Sequence, residues 1–374
     1  MNTYNRVEAI IDLDRITENV KHLKALAGVD LMAVVKADAY GHGLIPVARA
    51  ALAGGATSLG VALLEEAITL REAGITAPIL AWLVPPGSDY KAAVDHDIEL
   101  AASSIIALEE IGAVESHNRP RVHLEVDTGM TRGGFLSEWG ELDAHHVANL
   151  DIVGIFSHFA RADEPGEEQN DLQRKRFKEM VATLESFGFT DIVRHLSNSA
   201  ATLKDADSRF DLVRTGIAIY GLTPDVDTLG TSASLGLKSA MSLRAKLHLV
   251  KEVAAHSPVG YGATAITQHD TKLGIVAMGY ADGIPRIAQG AGIFVRGKRA
   301  PIIGRVSMDQ FVVDLGPDSQ AISGEWVEVF GDGVAGGYTA EEWGSASGSI
   351  NYEIVTLIGP RVPGIYRSSS PVTE

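Results

Sequence analysis

The chain has 374 residues, 45% of them hydrophobic, and its 48 acidic residues outnumber its 32 basic residues to give a formal charge of −16. This charge repels nucleic-acid phosphates and anionic lipid head groups, so neither a nucleic acid nor a membrane is a predicted partner. The absence of cysteine excludes disulfide bonds, thiolate metal sites and a cysteine nucleophile. Residues 1–20 lack the apolar core of a signal peptide, and no apolar run reaches the roughly 20 residues of a membrane helix. We therefore predict a cytoplasmic protein.

The first two thirds of the chain alternate between short apolar runs and segments with helical spacing, which is the pattern of βα units. Eight runs predict strands, at residues 31–35, 58–62, 77–83, 99–103, 121–126, 152–156, 192–196 and 212–220. Between the sixth and seventh, Phe177, Val181 and Leu184 recur at helical steps. Eight such units favour a (β/α)₈ barrel. An open doubly wound sheet is the alternative, but its glycine-rich dinucleotide turn is missing after the first run.

The pattern changes after about residue 235, where apolar and polar residues alternate from Met241 to Leu249 with a period of two. Further strand-like runs follow at residues 273–278, 293–296, 301–306, 311–315 and 326–330. The predicted fold is therefore α/β, with a TIM-type barrel at residues 1–235 and a mostly β domain at residues 236–374. For about the first ten residues, packing on the β domain is the alternative.

Polar side chains follow several of the apolar runs, at the ends of the strands where a barrel places its active site. They are Lys36, Arg132, His158, Asn198, Ser199, Arg214 and Gly216. A lysine held among apolar strand residues becomes a nucleophile toward aldehydes, although a solvated strand-end lysine is the plain alternative for Lys36. Arg214 lies in an apolar stretch and needs either a structural carboxylate or an anionic ligand.

The other strand-end residues also allow two interpretations when each is taken alone. His158 is either a core imidazole or a functional group, and the residues near Ser199 and Gly216 suit either a phosphate or an ordinary loop. A candidate Schiff-base amine, a phosphate cradle and two arginines at one barrel mouth are together what a pyridoxal phosphate enzyme requires. We predict this cofactor and, since no metal-binding motif occurs, no metal ion.

Tyrosines beside glycines mark the β domain, in GYGAT with Tyr261, GYADG with Tyr280 and INYE with Tyr352. Such aromatic residues usually serve packing. A phenol placed over a bound aldehyde can instead act as an acid or base, provided that nearby positive charge lowers its pKa from about 10.

From about Arg6 to about Tyr366 the chain contains, in this order, the motifs AVVKADAYGHG, DTGMTRGG, FSHFARAD, HLSNSA, VRTGIAIYG, GYGAT, GYADG, SMDQ and INYE. In these motifs and in their order the chain resembles the alanine racemase family. The resemblance implies a barrel that binds pyridoxal 5′-phosphate, followed by a β domain, in a homodimer whose active sites use residues from both chains. It also implies the interconversion of L-alanine and D-alanine, which supplies D-alanine for peptidoglycan.

The resemblance assigns the two bases of this reaction to Lys36, on the side of D-alanine, and to Tyr261 of the second chain, on the side of L-alanine. It places Arg214 on the pyridine nitrogen of the cofactor, with His158 behind it. Asn198 is a further cofactor-binding position, and the phosphate positions are Tyr40, Ser199, Gly216, Ile217 and Tyr352. The remaining positions are Arg132 and Met308 for the substrate, Glu125, Tyr280 and Asp309 as supporting residues, and Asp163, Arg286, Arg305 and Ile350 at the entrance.

One position departs from the family pattern. Glu125 stands seven residues before Arg132, where many members have a lysine that is carbamylated in structures. A glutamate carries the same negative charge, so we expect Glu125 to pair with Arg132 directly. A racemase of broader specificity, a related barrel-fold decarboxylase and a non-catalytic protein that binds the cofactor remain as alternatives.

Overall fold

The structure is a computed structural model that describes residues 5–369. Its strands are β1 (Val7–Asp12), β2 (Asp30–Val34), β3 (Ser58–Val61), β4 (Ile79–Ala81), β5 (Glu99–Ala102), β6 (Arg121–Glu125), β7 (Asp151–Phe156), β8 (Val193–His195), β9 (Leu212–Thr215), β10 (Met241–Val253), β11 (Pro258–Val259), β12 (Ala265–Ile266), β13 (Thr271–Val276), β14 (Gly292–Val295), β15 (Lys298–Pro301), β16 (Phe311–Asp314), β17 (Trp326–Phe330) and β18 (Gly364–Arg367). No helix within residues 5–369 has the length and apolar character needed to span a membrane.

The helices alternate with the strands in the first part of the chain and are sparse in the second. They are α1 (Leu13–Ala27), α2 (Lys36–Gly41), α3 (Leu44–Ala53), α4 (Leu64–Glu72), α5 (Tyr90–Asp95), α6 (Ile105–Gly112), α7 (Glu168–Ser186), α8 (Ser199–Lys204), α9 (Val226–Leu229), α10 (Ala340–Ala346) and α11 (Asn351–Thr356). Short 3₁₀ helices cover Ser137–Glu141, Ala206–Ser208, Ile217–Tyr220, Ala233–Leu235, Tyr261–Ala263 and Tyr280–Asp282. The chain divides into two compact units. The barrel unit is Ile16–Ala39 with Leu44–Leu237, and the β unit consists of Tyr40–Gly43 and the described parts of Met1–Arg15 and Lys238–Glu374.

The barrel unit contains one parallel sheet of eight strands in the order β8-β7-β6-β5-β4-β3-β2-β9. Its first and last strands approach each other, since the Asp211 amide donates to the Arg194 carbonyl at 3.1 Å and the Arg214 amide to the Ser197 carbonyl at 2.9 Å. The sheet is therefore a nearly closed barrel surrounded by helices. This confirms the predicted fold class, and the open doubly wound alternative is wrong.

The burial of both strand faces explains why the sequences of these short strands are continuous apolar runs. Inside the barrel, one apolar cluster consists of Met32, Leu80, Ala101, Phe156 and Leu212, with Trp82 packed against it. Outside, α7 buries its apolar stripe of Phe177, Val181 and Leu184. Both faces of each strand are therefore covered, as a parallel sheet requires.

One predicted strand is too long. The run at residues 212–220 predicts an extended strand throughout, but β9 ends at Thr215 and residues 217–220 form a 3₁₀ helix. Gly216 turns the backbone at φ −100° and ψ −98°, and Gly221, at φ 80°, ends the helix in a left-handed conformation that favours glycine. Two glycines thus place a helix start directly after the strand.

The β unit is built on the long strand β10, which pairs antiparallel with β1, β13 and β17. Alternate residues of β10 are buried, which is why its sequence has a period of two. β1 pairs with β10 on one side and parallel with β18 on the other, so residues from both ends of the described chain share this sheet. The strand predicted at residues 301–306 is wrong, because β15 already ends at Pro301 and Gly304 has a φ of 81°.

Candidate active site

Lys36 directly follows β2 and begins α2, whose backbone is left-handed. Four consecutive residues other than glycine, from Ala37 to Tyr40, have φ between 51° and 53°. Such a conformation costs roughly 1–2 kcal/mol for each residue with a Cβ atom. The surrounding structure must therefore hold this turn, and strain of this kind marks functional segments.

The carboxylate of Glu66 supplies part of that support. It accepts a hydrogen bond from the amide of Ala37 at 2.5 Å and, through its second oxygen, bonds from the amides of Ala62 and Leu63 at 3.0 Å. The side chain of Asp38 in turn accepts a bond from the amide of Leu44 at 2.8 Å. Glu66 thus links the segment after β3 to the turn that carries Lys36.

The amine of Lys36 lies in a partly buried, cationic environment. Its Nζ is 5.8 Å from the centroid of the Trp82 ring. Burial lowers the pKa of Lys36, the charge of Arg132 lowers it further, and the charge of Glu66 opposes both. A lysine with a lowered pKa is more often the free amine and is thus a better nucleophile toward an aldehyde.

Arg214, on β9, uses four of its five N–H donors inside the barrel. One terminal nitrogen donates to the carbonyl of His195 at 2.7 Å and to its Nδ1 at 3.2 Å. The other donates to the carbonyl of Ser157 at 2.6 Å and to Nδ1 of His158 at 3.3 Å. Among the described residues, no partner is found for Nε. The guanidinium is therefore held in one position with Nε–H as its remaining donor.

Burial decides the protonation states around this guanidinium. It lowers the pKa of Arg214 to about 10, so the arginine is still cationic at neutral pH. Burial, together with the charge of Arg214, also lowers the pKa of His158 and of His195 well below the usual value. Both imidazoles are therefore neutral and can accept a hydrogen bond from the arginine.

Neutral polar groups lie at the start of two short helices. Asn198 caps α8 by accepting a bond from the amide of Ala201 at 3.1 Å. The buried hydroxyl oxygen of Ser199 accepts bonds from the amides of Gly216 at 3.0 Å and Ala218 at 3.4 Å. The 3₁₀ helix that begins at Ile217 starts beside it. Hydroxyl and amide donors at helix starts are the groups that bind a phosphate.

Tyr40 and Tyr352 form a pair in the β unit, with ring centroids 6.2 Å apart. Burial raises the pKa of Tyr40 to about 12, so its phenol stays protonated and can donate a hydrogen bond to an anion. Within the barrel unit, a nucleophilic amine, an arginine with one remaining donor, and hydroxyl and amide groups fit pyridoxal phosphate, which presents an aldehyde, a ring nitrogen and a phosphate.

The loop that carries Arg132 is shaped by Asp127. Its carboxylate accepts bonds from the amides of Gly129, Met130 and Thr131 at 2.8–3.1 Å. Arg132 itself is exposed. The loop thus presents a cation to solvent at the end of β6.

The expected ion pair between Glu125 and Arg132 is wrong for this structure, since the two side chains form none within 4.0 Å among residues 5–369. Glu125 instead accepts a bond from the hydroxyl of Ser103 at 2.7 Å. Its oxygens also lie beneath Gly133, where an added Cβ would be 3.4 Å from both. A glutamate side chain is short, and the neighbouring strand end supplies the nearer partner.

The predicted residues of the β unit are largely exposed. The exposed fractions are 70% for Tyr261, 53% for Met308 and 57% for Ile350. Tyr261 lies between two glycines with φ of 72° and 73°, in a turn beside Arg305. The amide of Ala281, next to Tyr280, donates to the carbonyl of Met308 at 2.9 Å. Tyr261, Met308 and Ile350 are therefore all exposed to solvent in the described part of the chain.

The other predicted positions have different surroundings. Asp309 forms an ion pair with Arg361 at 2.7 Å. Asp163 lies in a turn of the barrel unit, whereas Arg286 lies in a bend of the β unit. Neither unit by itself gathers the four predicted entrance residues.

The sequence patterns do not single out three residues of the barrel interior: Glu99, His123 and His195. All three are buried and hydrogen-bonded to one another or to Arg214. The available signal was a polar residue within an apolar strand run, repeated in three strands. Such residues must pair inside the barrel, because a buried polar group without a partner is costly.

Comparison with known proteins relates both parts of the chain to alanine racemases. The family model for the alanine racemase N-terminal domain matches residues 11–224, and the model for the C-terminal domain matches residues 240–366. The alanine racemase of Salinispora arenicola is 47% identical over 98% of this chain and 100% of its own length. That of Beutenbergia cavernae is 48% identical, over 96% and 97% respectively.

Solved structures agree with this relationship. The alanine racemase from D-cycloserine producing Streptomyces lavendulae superimposes with a TM-score of 0.96 at 46% identity, covering 99% of both chains. That from Streptomyces coelicolor A3(2) gives 0.92 at 45% identity, over 97% of this chain and 98% of the other.

Proposed function

We propose that this chain, which belongs to the alanine racemase family, interconverts L-alanine and D-alanine with pyridoxal 5′-phosphate as its cofactor. The observation that carries the proposal is the barrel mouth, where Lys36 has a lowered pKa and Arg214 keeps one donor after four are used internally. The family membership, established over nearly the whole chain, supports the same conclusion. The D-alanine would supply peptidoglycan synthesis.

Each part of the cofactor has a matching group in this chain. The amine of Lys36 suits its aldehyde, and Nε–H of Arg214 suits the ring nitrogen as a donor. We assign its phosphate to the hydroxyl of Ser199, the amides of Gly216 and Ile217 and the phenols of Tyr40 and Tyr352, with Asn198 capping α8 nearby. The amide of Gly216 donates to Ser199 Oγ here and would exchange that acceptor for the phosphate. The bound cofactor supplies an electron sink that makes the α-proton of the amino acid acidic.

Racemisation requires a proton to leave one face of the α-carbon and another to arrive at the opposite face. A single base would have to cross the plane of the carbanion, so two bases are needed. We assign Lys36 Nζ to the face of D-alanine and the phenol of Tyr261 to the face of L-alanine. The lowered pKa of Lys36 supports this role, because it increases the fraction of free amine, which is the form that accepts a proton.

Arg132 and Met308 would bind the substrate carboxylate. Arg132 offers a guanidinium at the end of β6, and Met308 would donate through its backbone amide. Glu125, Tyr280 and Asp309 are supporting residues, and Asp163, Arg286, Arg305 and Ile350 are assigned to the entrance. A narrow entrance favours alanine over larger amino acids, since one extra atom in a tight pocket costs roughly 1–3 kcal/mol.

We assign Tyr261 to the active site of a second copy of the chain, so that residues 1–235 of one copy and residues 236–374 of the other complete each site. The exposed fraction of 70% at Tyr261 supports this assignment, because a catalytic phenol needs to be covered when it acts. Mixing inactive Lys36→Ala and Tyr261→Phe chains tests it. Subunit exchange should restore about a quarter of wild-type activity, since half of the dimers would hold one intact site.

The proposed reaction is tested first by incubating the protein with L-alanine and pyridoxal phosphate in D₂O. Loss of the α-proton NMR signal together with a near-equal mixture of enantiomers is expected. Exchange without inversion would mean that only one base works. Release of carbon dioxide would indicate a decarboxylase, and cofactor binding without exchange would contradict the racemase assignment for alanine.

A further inference from the structure

A row of four buried polar side chains runs through the barrel. Its members are Arg214, His195, His123 and Glu99, in that order. His195 accepts from Arg214 through Nδ1 at 3.2 Å, and its Nε2 lies 2.9 Å from Nδ1 of His123. Nε2 of His123 lies 3.1 Å from the carboxylate of Glu99. The exposed fractions of these four residues are between 0% and 6%. The row therefore connects the arginine to a carboxylate without contact with bulk water.

The chemistry of the two ends fixes the direction of every bond in this row. A guanidinium only donates, so Nδ1 of His195 must lack a proton. An ionised carboxylate only accepts, so Nε2 of His123 must carry one. The remaining bond can then only run from Nε2–H of His195 to Nδ1 of His123. Both histidines are therefore neutral and protonated on Nε2, and all three bonds point from Arg214 toward Glu99.

The surroundings of Glu99 keep its carboxylate ionised. Burial works against the ionised form, but the hydrogen bond from His123 and the charges of Arg121 and Arg71 favour it. Arg121 forms an ion pair with the oxygen of Glu99 that does not face His123. The two oxygens thus have separate partners, a guanidinium and an imidazole.

Packing holds the two rings in this arrangement. Gly154, opposite His123 on β7, has no room for a side chain, because an added Cβ would lie 2.1 Å from Nδ1 of His123. Phe156 stacks on His195 with centroids 5.0 Å apart and lies 5.3 Å from the guanidinium carbon of Arg214. Neither ring can turn away without displacing a neighbour.

We propose that Glu99 and His123 are positioning residues for Arg214: they fix the tautomer of His195 and so hold the arginine with Nε–H free for the ring nitrogen of the cofactor. This inference rests on the proposed function for the ligand, but its geometric part concerns this chain alone. Glu99 acts through two imidazoles and touches neither cofactor nor substrate.

The first test measures the tautomers directly, by two-bond ¹H–¹⁵N correlation of the histidine side chains in the protein before and after loading with pyridoxal phosphate. Signals are assigned by their loss in His123→Gln and His195→Gln. His123 and His195 should both be neutral with Nε2 protonated, in both forms of the protein. An Nδ1–H tautomer or an imidazolium at either position in the wild-type protein would overturn the proposal.

The second test uses Glu99→Gln to reverse the direction of the hydrogen bonds in the row. Arg121 can only donate, so it should keep the oxygen of the new side-chain amide and turn the NH₂ group of that amide toward His123. His123 must then carry its proton on Nδ1, which places Nδ1–H of His195 against a donor of Arg214. We expect the Nδ1–H tautomer at both histidines and about tenfold weaker binding of pyridoxal phosphate, the effect of one hydrogen bond to a charged group.

Two further variants separate positioning from general loss of stability. Glu99→Asp keeps a carboxylate and should retain the Nε2–H tautomer with part of the affinity. Asp205→Asn, which breaks an ion pair with Arg174 elsewhere in the barrel unit, is the matched control and should change neither readout. Unchanged tautomers and affinity in Glu99→Gln would refute the inference while leaving the racemase assignment intact.

A last variant acts on the row without changing a charge. Gly154→Ala should push the ring of His123 away from His195 and weaken cofactor binding, whereas Gly112→Ala, whose new Cβ would have its nearest neighbour at 3.7 Å, should not. Equal effects of the two variants on cofactor affinity would contradict the proposal. If the wild-type protein bound no pyridoxal phosphate at all, the proposed function would fail, and the tautomers would still decide the geometric part.

Discussion

The barrel mouth and the Tyr261 turn contain the two proposed bases, but they differ in how far one chain completes them. At the barrel mouth, Arg214 is 6% exposed and four of its five donors are used. At the turn, Tyr261 is 70% exposed, and the glycines on either side allow a left-handed backbone. At the barrel mouth, the strands of the same chain hold the functional side chains in place. At the turn, the phenol of Tyr261 is exposed on a loop.

In the proposed dimer, the properties of the barrel mouth belong to one folded chain, whereas those of the Tyr261 turn depend on the second copy. Buried hydrogen bonds fix the charge and direction of Arg214 within the barrel unit. An exposed phenol has no such constraints, so its position depends on whatever covers it. Substitutions at the barrel mouth should therefore impair the site of the chain that carries them. The effect of substitutions at Tyr261 should depend on which chains assemble into a dimer.

Replacement of Lys36 by alanine should have the largest effect. It removes both the cofactor's amine partner and one base, so alanine racemisation should fall by about a thousandfold or more. The absorption of the cofactor imine should disappear as well. Enantiomer analysis and an absorption spectrum provide the measurements, with Lys21→Ala as the control at an exposed lysine. Appreciable turnover by Lys36→Ala would remove the barrel mouth from the reaction.

The variant Tyr261→Phe should separate the two faces of the substrate. Turnover of L-alanine should fall by roughly a hundredfold to a thousandfold, because its base is lost. D-alanine should still exchange its α-proton with D₂O through Lys36. The measurement compares exchange rates for both enantiomers, and Tyr90→Phe, which removes a peripheral hydroxyl, is the control. Equal losses for both enantiomers would argue against the assignment of the faces.

The sequence predicts the barrel because its signal is local: each strand is a short run buried on both faces. It also predicts the strand-end residues, because topology brings the ends of parallel strands together. The row from Glu99 to His195 could not be predicted, because each member lies on a different strand and only the register between strands brings the side chains into contact. The hydrogen bond from Ser103 to Glu125 could not be predicted for the same reason. An argument from charge alone instead predicted Arg132 as the partner of Glu125.

Glu125→Gln should impair alanine racemisation less than the loss of either proposed base. The charge of Glu125 raises the pKa of Arg214 and so helps to keep that arginine cationic. Its loss should increase the KM for alanine by roughly fivefold, since a partly screened charge interaction contributes about 1 kcal/mol. Ser103→Ala keeps the charge and should change KM less. Unchanged kinetics and an unchanged pH profile in Glu125→Gln would assign Glu125 no role.

The smallest effect concerns stability and pH, and it tests the neutral histidines around Arg214. His158 and His195 have pKa values well below the 6.5 of a free imidazole. Below pH 6.5 the unfolded chain therefore binds protons that the folded chain excludes, so stability is complete above that pH and decreases as the pH falls. Each histidine should contribute a loss of about 1 kcal/mol per pH unit.

Urea unfolding at pH 7.5 and 5.5, at one protein concentration, measures this loss. The exposed His117 provides the control, since His117→Gln should leave the pH dependence unchanged. A histidine that became charged in the folded barrel would show no loss, because it would bind its proton in both states. A constant unfolding midpoint would thus mean that the imidazoles beside Arg214 are protonated, and the barrel mouth would then lack the acceptors that hold its arginine.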